Sequence, residues 1–254
     1  MRRNALIIGG SSGIGLASAK KLAKEGFDLH IVHRDRRSVL ELFEKEVAHM
    51  KAEGAQVSTF NIDATNKDKI ASFCGEIKNT KFSLVLHSVS RGNLKNLISE
   101  DGPELSEEDI MLTVDAMALN VFSWVKNLLK ADLFAPEGRL VTLTSAGSQK
   151  YWSGYAAVAI AKASLEILTK YLAVELSHKN IRANVINAGI TDTASLKLIP
   201  GYDTLVKEAT QRNPNGRLTQ PEDVANVVYL LSTPEASWIN GSIINVDGGE
   251  NLTQ

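Results

Sequence analysis

The fold of this chain is decided by the stretch Gly9-Gly10-Ser11-Ser12-Gly13-Ile14-Gly15. It follows a short apolar run, Ala5–Ile8, and opens a segment whose apolar residues recur at helical steps. A glycine-rich turn between a strand and a helix can present backbone N–H groups and the helix N-terminus to a pyrophosphate. Glycine suits this turn because the backbone must bend tightly and approach the ligand without a Cβ in the way. We therefore predict a dinucleotide-binding loop, the alternative being a tight turn without a ligand.

Apolar runs rich in β-branched residues alternate with segments of helical periodicity along the rest of the chain. The runs that we predict to be strands are Ala5–Ile8, Leu29–Val32, Val57–Ile62, Ser83–His87, Arg139–Thr144, Arg182–Asn187 and Ser242–Val246. Strands separated by crossover helices form a parallel sheet that is covered on both faces. The sequence thus predicts an α/β fold: one doubly wound, Rossmann-type domain over residues 1–254, with a seven-stranded parallel sheet and helices on both faces.

Composition and charge narrow the class of protein. The chain has 254 residues, of which 44% are hydrophobic and 22% charged, as in ordinary globular proteins. No run approaches the roughly 18 apolar residues that a membrane span requires, and the start of the chain lacks the apolar core of a secretory signal. A net charge of −1 without a basic block argues against nucleic-acid binding. We therefore expect a soluble, cytoplasmic protein that binds a small molecule, with no nucleic-acid, membrane or metal partner.

The choice of nicotinamide cofactor is usually set at the end of the second strand. There an acidic side chain binds the ribose 2′-hydroxyl, or a cation accepts a 2′-phosphate. This chain reads His33-Arg34-Asp35-Arg36-Arg37 at that place. Because a planar guanidinium pairs well with phosphate, Arg34 predicts NADPH as the cofactor. The alternative is a solvated arginine cluster at the start of a helix, with Asp35 as the N-cap of that helix.

The stretch Thr191–Asn215, after the sixth predicted strand, is the least patterned part of the chain. It mixes Pro200, Gly201 and Pro214 with a short helical pattern around Leu205. Ligands of open α/β sheets sit outside the carboxyl ends of the strands, where this stretch begins. We therefore predict that residues 191–215 form a mobile lid over a substrate.

Motifs from both ends of the chain together resemble the short-chain dehydrogenase/reductase superfamily. They are the glycine-rich loop, Asp63-Ala64 after the third strand, a tyrosine and a lysine after the fifth strand, and Asp247-Gly248-Gly249 near the carboxyl end. The resemblance implies that Ser88 lines the nicotinamide side of the cofactor, and that Ile190 and Thr193 contact its carboxamide and pyrophosphate. The remaining cofactor-binding residues that we expect are Gly9, Ser11, Ser12, Gly13, Ile14, Gly15, Arg34, Lys162, and, at the adenine, Asp63 and Ala64.

The spacing of the tyrosine and the lysine narrows the resemblance. In most of the superfamily the tyrosine precedes the lysine by four residues, but the residue four before Lys162 is Val158, which has no proton to give. Tyr155 stands seven residues before Lys162, about two helical turns, so both side chains still project from one face of a helix. This Tyr-x6-Lys pattern resembles the enoyl-acyl-carrier-protein reductases, and in particular their divergent NADPH-dependent branch.

Other positions bear on the same comparison. Met117 stands near the place where ketoreductases of the superfamily carry a catalytic asparagine, and Asn120 is out of register for that role. Ser145 ends the fifth strand, where the superfamily places a catalytic serine, although enoyl reductases often lack that role. Tyr151 is a candidate for a second substrate-facing hydroxyl, the alternative being an aromatic residue at the rim of the site.

The resemblance implies that hydride from NADPH reduces the double bond of a trans-2-enoyl thioester, on a carrier such as acyl carrier protein, in fatty acid synthesis. Tyr155 would stabilise the enolate oxygen, and Lys162 would bind the nicotinamide ribose. One alternative is an NADPH-dependent ketoreductase or alcohol dehydrogenase, for example a 3-oxoacyl-acyl-carrier-protein reductase. Another is a non-catalytic NADPH-binding sensor. By resemblance we also expect a homotetramer or homodimer formed through the long helices.

Overall fold

The computed structural model describes residues 2–253, and its centre is a seven-stranded sheet. The strands are β1 (Arg3–Ile8), β2 (Phe27–His33), β3 (Val57–Asn61), β4 (Phe82–His87), β5 (Phe134–Ser145), β6 (Arg182–Ala188) and β7 (Ile243–Val246). They pair in parallel in the order β3-β2-β1-β4-β5-β6-β7. The order reverses between β1 and β4, and such a reversal opens a crevice at the carboxyl ends of the strands. The predicted doubly wound parallel sheet is confirmed.

Helices cover both faces of the sheet. The helices are α1 (Gly13–Lys24), α2 (Arg37–Ala52), α3 (Lys67–Glu76), α4 (Glu107–Val114), α5 (Asn120–Lys130), α6 (Ala156–Glu175), α7 (Tyr202–Arg212) and α8 (Pro221–Leu231). One apolar core joins the sheet to α1, α2 and α8, and a second core joins the opposite face to α3, α5 and α6. The sheet is therefore the middle of three layers.

Strand β1 shows how one apolar run supplies both cores. Ala5 and Ile7 belong to the core with α1, α2 and α8, whereas Leu6 and Ile8 belong to the core with α3, α5 and α6. Successive side chains of a strand point to opposite faces of the sheet. Each of these four side chains is at most 1% exposed, and burying one Leu or Ile contributes roughly 1.5–3 kcal/mol. Continuous apolar runs, rather than alternating ones, are what a sheet covered on both faces requires.

The largest difference from the predicted boundaries is at β5, which begins at Phe134 instead of Arg139. Pro136-Glu137-Gly138 has the composition of a turn, so the pattern hides the first part of the strand. In the sheet Phe82 pairs with Phe134 and Leu84 pairs with Arg139, with a register shift between the two pairs. The turn-like residues form this irregularity inside the strand, where Glu137 adopts a φ of 59°.

Two local predictions need correction. The N-cap of α2 is Arg36, with no side-chain cap, and Asp35 is instead bonded to Nδ1 of His33 at 2.7 Å. Asp35 therefore does not cap the helix, because its carboxylate turns back to the strand. Tyr155 is the N-cap of α6 rather than a residue within that helix. Its carbonyl still accepts the N–H of Ala159 at 2.9 Å, so its backbone is joined to the first helical turn.

Helices α4 and α5 are joined without a break by a π-helical turn, Asp115–Leu119. A π turn is rare and often occurs at functional sites, because its wider bond pattern rotates the side chains that follow it. Met117 lies in this turn and faces the core of α6 together with Ala116. The turn thus decides which side chain the α4–α5 helix presents towards Tyr155 and Val158.

The predicted lid segment contains more regular structure than its sequence pattern indicated. A 3-10 turn covers Leu196–Leu198, and α7 covers most of the second half. Over residues 2–253, none of the helices is both long enough and apolar enough to cross a bilayer.

Candidate active site

A cleft of about 850 Å³ lies at the carboxyl ends of the strands. Its walls include residues that directly follow β1, β2, β4 and β6, and the last residues of β5. Open α/β sheets bind their ligands at this position. The predicted site residues that line the cleft are Gly9, Ser11, Ser12, Gly13, Ile14, Arg34, Asp63, Ala64, Ser88, Ser145, Tyr155, Lys162, Ile190 and Thr193. The structure therefore brings most of the predicted constellation to one place.

The glycine-rich loop leaves the N-terminus of α1 open towards the cleft. Ser12 is the N-cap, makes no side-chain cap bond, and the first turn contains no acidic residue. The first N–H groups of such a helix lack backbone partners within the helix, and its dipole attracts negative charge. Gly13 adopts a φ of +51°, and a Cβ there would lie 3.3 Å from the side chain of Thr193. This arrangement can hold a pyrophosphate between α1 and Thr193.

Gly15 differs from the other residues of this loop, because it does not line the cleft. A Cβ at Gly15 would lie 2.1 Å from the carbonyl oxygen of Gly9. A Cβ at Gly9 would likewise lie 2.6 Å from the carbonyl oxygen of Ser88. The expected ligand contact of Gly15 is thus replaced by packing, since the loop folds back on the first turn of α1. Both glycines allow close approach of backbone to backbone, and Gly9 in addition lines the cleft.

At one end of the cleft, Asp63 lies between two arginines. Arg34 Nη1 is 2.8 Å from Asp63 Oδ2, and Arg91 Nη1 is 3.5 Å from the same oxygen. The backbone N–H and the hydroxyl of Thr65 donate to Asp63 Oδ1 at 2.9 and 2.7 Å. Partial burial would raise the pKa of Asp63, but the bonds from Thr65 and the charges of both arginines hold the pKa below its ordinary value. Asp63 is therefore an anion fixed between cations.

Sequence reasoning missed Arg91, which lines the cleft beside Asp63. Its place, soon after the end of β4 and the cleft residue Ser88, is the only signal that the sequence offers for it. The side chains of Arg34 and Arg91 are 60% and 58% exposed, so both can move to meet a ligand. His33 behind them is buried, bonded to Asp35 and packed against Phe43 with ring centroids 4.7 Å apart.

At the inner end of the cleft, the Tyr155 hydroxyl lies 3.2 Å from the Ser145 hydroxyl. Burial raises the pKa of Tyr155, and the bond with Ser145 opposes that rise. The ring is held by its neighbours, because the ring of Trp152 meets it edge-on at a centroid distance of 5.2 Å. A Cβ at Gly147 would lie 2.4 Å from Cε1 of Tyr155, so the ring packs directly against the Gly147 backbone. Tyr155 is thus a buried, oriented O–H group.

Lys162 reaches the same region from the second turn of α6. Its Nζ donates to the carbonyl oxygen of Leu143 at 2.8 Å. The side chain is buried, and burial lowers the pKa of Lys162 to about 8, whereas the charge of Glu166 opposes that decrease. The bond to Leu143 uses one of three ammonium donors. The cleft therefore contains a cation with donors to spare close to its base.

The out-of-register Asn120 has a structural role in this molecule. Its amide donates to the carbonyl oxygen of Ala64, which also accepts from Trp124 Nε1 at 3.0 Å. Because the amide nitrogen donates there, Asn120 Oδ1 accepts from His87 Nε2, which lies at 2.9 Å. Burial lowers the pKa of His87 to about 4, despite the bond to Asn120 and with a further decrease from the charge of Lys162. A neutral His87 thus braces the Asp63-Ala64 corner through Asn120.

Tyr151 does not take the place considered for a second substrate-facing hydroxyl. Its side chain is 88% exposed and does not line the cleft. The next residue, Trp152, lines the cleft and contacts Tyr155 instead. Adjacent residues of an extended turn point in different directions, and the sequence pattern does not reveal which one points inward.

The matches of this chain to known proteins cover nearly its whole length. The family described as enoyl-(acyl carrier protein) reductase matches residues 9–251. An NADPH-dependent enoyl-acyl-carrier-protein reductase of Staphylococcus aureus is 30% identical over 245 residues, which are 95% of this chain and 93% of that protein. An NADH-dependent enoyl-acyl-carrier-protein reductase of Rickettsia prowazekii is 28% identical over 248 residues, which are 96% and 92%. A tropinone reductase homologue of Arabidopsis thaliana is 28% identical over 250 residues, which are 97% and 91%.

Solved structures of an enoyl-acyl-carrier-protein reductase and of a short-chain dehydrogenase have a similar fold. The enoyl-acyl-carrier-protein reductase (NADH) of Aquifex aeolicus superposes with a TM-score of 0.85 at 25% identity, over 99% of this chain and 97% of that one. A short-chain dehydrogenase of Burkholderia cenocepacia in complex with NADP also has a TM-score of 0.85 at 25% identity, over 98% of both chains.

Proposed function

Since this chain belongs to the enoyl-(acyl carrier protein) reductase family of short-chain dehydrogenases/reductases and is an oxidoreductase, we propose that it reduces the double bond of a trans-2-enoyl thioester with NADPH. One observation carries the proposal. Tyr155 presents its hydroxyl to the inner cleft, whereas Val158 and Met117 line the cleft with apolar side chains. Those two positions are the ones at which carbonyl-reducing members were expected to carry a tyrosine and an asparagine.

A nicotinamide dinucleotide fits the residues of the cleft. The uncapped N-terminus of α1 and Gly13 suit a pyrophosphate. Asp63 is an oriented acceptor for the adenine edge, and Lys162 has free donors for the nicotinamide ribose. When bound, the cofactor would supply a hydride to C3 of the enoyl group.

NADPH rather than NADH is supported by the charges at the Asp63 end. Arg34 and Arg91 bring two positive charges against one carboxylate, which leaves an excess of one to meet a 2′-phosphate. His33 stands where an acidic side chain would otherwise accept from a 2′-hydroxyl, and its ring is turned to Asp35. Relatives of both cofactor preferences match this chain. The proposal therefore depends on this local charge balance.

In the proposed reaction the protein has to stabilise the negative charge that develops on the thioester oxygen. Attack at C3 moves electron density onto that oxygen, which becomes an enolate. The Tyr155 O–H donates to it, since burial keeps Tyr155 protonated in the free protein. Lys162 stabilises the same charge as a nearby cation and holds the ribose. The proton that completes the reduction at C2 then comes from solvent or from Tyr155.

Carbonyl reduction is the second candidate function. It is favoured by the 3.2 Å contact between the Ser145 and Tyr155 hydroxyls, which together can donate to a ketone oxygen. The similarity to a tropinone reductase homologue also favours carbonyl reduction.

The two candidate functions are distinguished by comparing the rate of NADPH oxidation with crotonyl thioester to the rate with acetoacetyl thioester. Faster turnover of the crotonyl substrate supports the enoyl reductase, and faster turnover of the acetoacetyl substrate refutes it. Binding of NADPH with turnover of neither indicates the non-catalytic sensor.

The partner that the proposal implies is an acyl thioester, on acyl carrier protein or on a smaller thiol, within fatty acid synthesis in the cytoplasm. Assembly as a homodimer or homotetramer is supported by exposed apolar side chains on α5 and α6. They include Phe122, Ile160, Ile167, Tyr171 and Val174.

A further inference from the structure

The contact between α6 and β5 carries a row of buried polar groups, which we call the α6–β5 seam. Lys162 Nζ donates to the carbonyl oxygen of Leu143 at 2.8 Å. The Thr144 hydroxyl donates to Glu166 Oε1 at 2.6 Å, and the hydroxyls of Thr142 and Thr169 are 3.0 Å apart. Residues 162, 166 and 169 follow the helical spacing of one face. Helix–sheet contacts are usually apolar, so a polar seam with two ionisable groups requires an explanation.

Glu166 is the buried acid of this seam and stands one turn after Lys162. Both residues are only 8% exposed. They are anchored on consecutive residues of β5, Lys162 on Leu143 and Glu166 on Thr144. Among the described residues, Glu166 makes no direct ion pair, and Thr144 holds its carboxylate instead. Two ionisable groups of opposite sign are thus held one helical turn apart on the buried face of α6, where the low dielectric strengthens an electrostatic interaction between them.

The other groups that face Lys162 provide no second negative charge. His87 of β4 is neutral, and Tyr155 at the start of α6 is a protonated hydroxyl. The side chains near Lys162 from β5 and from the π turn are uncharged, as at Ser145 and Met117. Glu166 is the acidic group next to this ammonium within the part of the chain that the structure describes.

We propose that Glu166 is a positioning residue whose buried carboxylate keeps the Lys162 ammonium charged, while the Leu143 carbonyl oxygen orients that ammonium at the cleft. This inference rests on the proposed function, in which Lys162 holds the cofactor ribose. It assigns to Glu166 no contact with substrate or cofactor. Its effect is exerted through Lys162 alone.

The charge of Lys162 needs such support. Burial lowers the pKa of Lys162 to about 8, and Glu166 opposes that decrease. An opposite charge within about 4–6 Å typically favours the charged form by 1–3 pKa units. Removal of the carboxylate therefore lowers the pKa further, so that Lys162 loses its proton near neutral pH. The charged form is present below the pKa and disappears as the pH rises through it.

The experiment is a titration of NADPH binding against pH in the full-length protein, followed by nucleotide fluorescence from pH 6 to 10. In the wild type we expect the affinity to decrease above pH 8, where Lys162 deprotonates. In Glu166→Gln the decrease begins about one pH unit lower or more. Glutamine keeps the shape of glutamate and can still accept from Thr144. Should Glu166→Gln fail to fold, Glu166→Asp, which keeps the charge at a greater distance, is expected to show a smaller shift in the same direction.

Two variants of the same seam are the controls. Thr169→Val removes the buried hydrogen bond between the hydroxyls of Thr169 and Thr142, and we expect the pH dependence of NADPH binding to stay as in the wild type. Thr144→Val keeps the Glu166 charge and leaves the midpoint within about half a pH unit of the wild type. The inference is overturned if Glu166→Gln and the wild type have the same midpoint, or if Thr144→Val shifts it as far as Glu166→Gln does. NADPH binding needs no enoyl substrate, so failure to turn over crotonyl thioester would refute the proposed function and leave this test valid.

Discussion

Burial shifts the pKa values of three groups that the proposed reaction involves or that support its site. It raises the pKa of Tyr155, which therefore stays a neutral O–H donor in the free protein. It lowers the pKa of Lys162 to about 8, which makes the charge of the ammonium sensitive to neighbouring groups such as Glu166. It lowers the pKa of His87 to about 4, so that His87 remains a neutral donor to Asn120. Burial thus keeps Tyr155 protonated, brings the pKa of Lys162 towards neutral pH and keeps His87 uncharged.

Replacement of Tyr155 tests the donor directly. Tyr155→Phe is expected to lower the turnover of crotonyl thioester by roughly a hundredfold or more, since loss of one oxyanion donor costs ~2.7–4 kcal/mol of barrier. NADPH affinity changes little, because the hydroxyl meets the substrate. Steady-state kinetics and nucleotide fluorescence measure the two effects. Tyr151→Phe is the matched control, since that side chain is 88% exposed outside the cleft. A full rate in Tyr155→Phe with a loss in Tyr151→Phe would reverse the assignment.

Replacement of Arg34 tests the cofactor choice. Arg34→Glu is expected to change the preference from NADPH to NADH, because a carboxylate repels the 2′-phosphate and accepts from a ribose hydroxyl. The substitution also removes the ion pair between Arg34 and Asp63, so Arg91 becomes the remaining arginine beside Asp63. Michaelis constants for both nucleotides measure the change. Arg37→Glu alters an exposed arginine that does not line the cleft and keeps the wild-type preference. A wild type that prefers NADH contradicts the prediction.

The start of α1 and the segment after β6 differ in how tightly they are packed against the rest of the fold. The start of α1 is packed so tightly that backbone touches backbone at Gly9 and Gly15. The segment after β6 instead packs mostly on itself, around Ile190, Leu196 and Ala209, in a small cluster separate from the two cores of the sheet. The first element can present N–H groups with little reorganisation. We expect the second to be more mobile, because it shares few apolar contacts with the layers below.

Gly15→Ala is expected to destabilise the protein. The new Cβ would lie 2.1 Å from the Gly9 carbonyl oxygen, and only a shift of the loop could make room for it. Overpacking of this kind typically costs about 1–3 kcal/mol. Urea unfolding measures the loss. The control is Gly75→Ala in α3, where a Cβ meets nothing within 4 Å, so we expect a gain of up to ~1 kcal/mol there. Equal stability of the wild type and Gly15→Ala would show that the loop is looser than described.

The segment Thr191–Asn215 is predicted to act as a mobile lid over the substrate. In the free protein we expect the amides of the 3-10 turn and of α7 to exchange faster than those of α6. On addition of NADPH and crotonyl thioester these amides become protected, because the segments 193–196 and 198–199 line the cleft and would close on its contents. Hydrogen exchange with mass spectrometry measures both states. The same protection with and without ligands is the outcome that refutes a moving lid.

At the scale of the whole molecule, the two cores of the sheet are buried, whereas one side of α6 leaves apolar side chains exposed. On α6, the residues Ile160, Ile167, Tyr171 and Val174 are between 41% and 73% exposed. Their spacing places them along one side of the helix, away from the seam with β5. Contiguous exposed apolar surface of this kind marks an interaction site. The long helices are the part of the fold that best fits contact with a second copy.

Ile167→Glu is expected to reduce the assembly to a smaller species, because a carboxylate would be buried between two copies without a partner. Light scattering after gel filtration measures the mass, and a homodimer or homotetramer is expected for the wild type. Leu42→Glu on α2 changes a residue that is 67% exposed on another face, and it keeps the wild-type mass. A monomeric wild type, or an unchanged mass in Ile167→Glu, contradicts the prediction.

The strands, the helices between them and the glycine-rich loop could be predicted from the amino-acid sequence, and the family resemblance together with residue spacing singled out Tyr155 and Lys162. These features depend on local periodicity, on glycine at a βα junction, and on the helical spacing of seven residues, all of which are properties of short segments. The position of Arg34 at the end of β2 predicts a basic cofactor site, and the structure places Arg34 in the wall of the cleft.

Contacts between residues that are far apart in the chain could not be predicted in this way and became visible in the folded structure. Arg91 contacts Asp63 from 28 residues away, Glu166 meets Thr144 from 22 residues away, and Trp152 rather than Tyr151 turns towards the cleft. Such contacts depend on strand order, on the packing of α6 over β5, and on the path of a loop, and none of these is encoded in a local period. The physical reason is that pairing across a sheet is fixed by the register of the whole fold, whereas a period is fixed by the backbone geometry of a few residues.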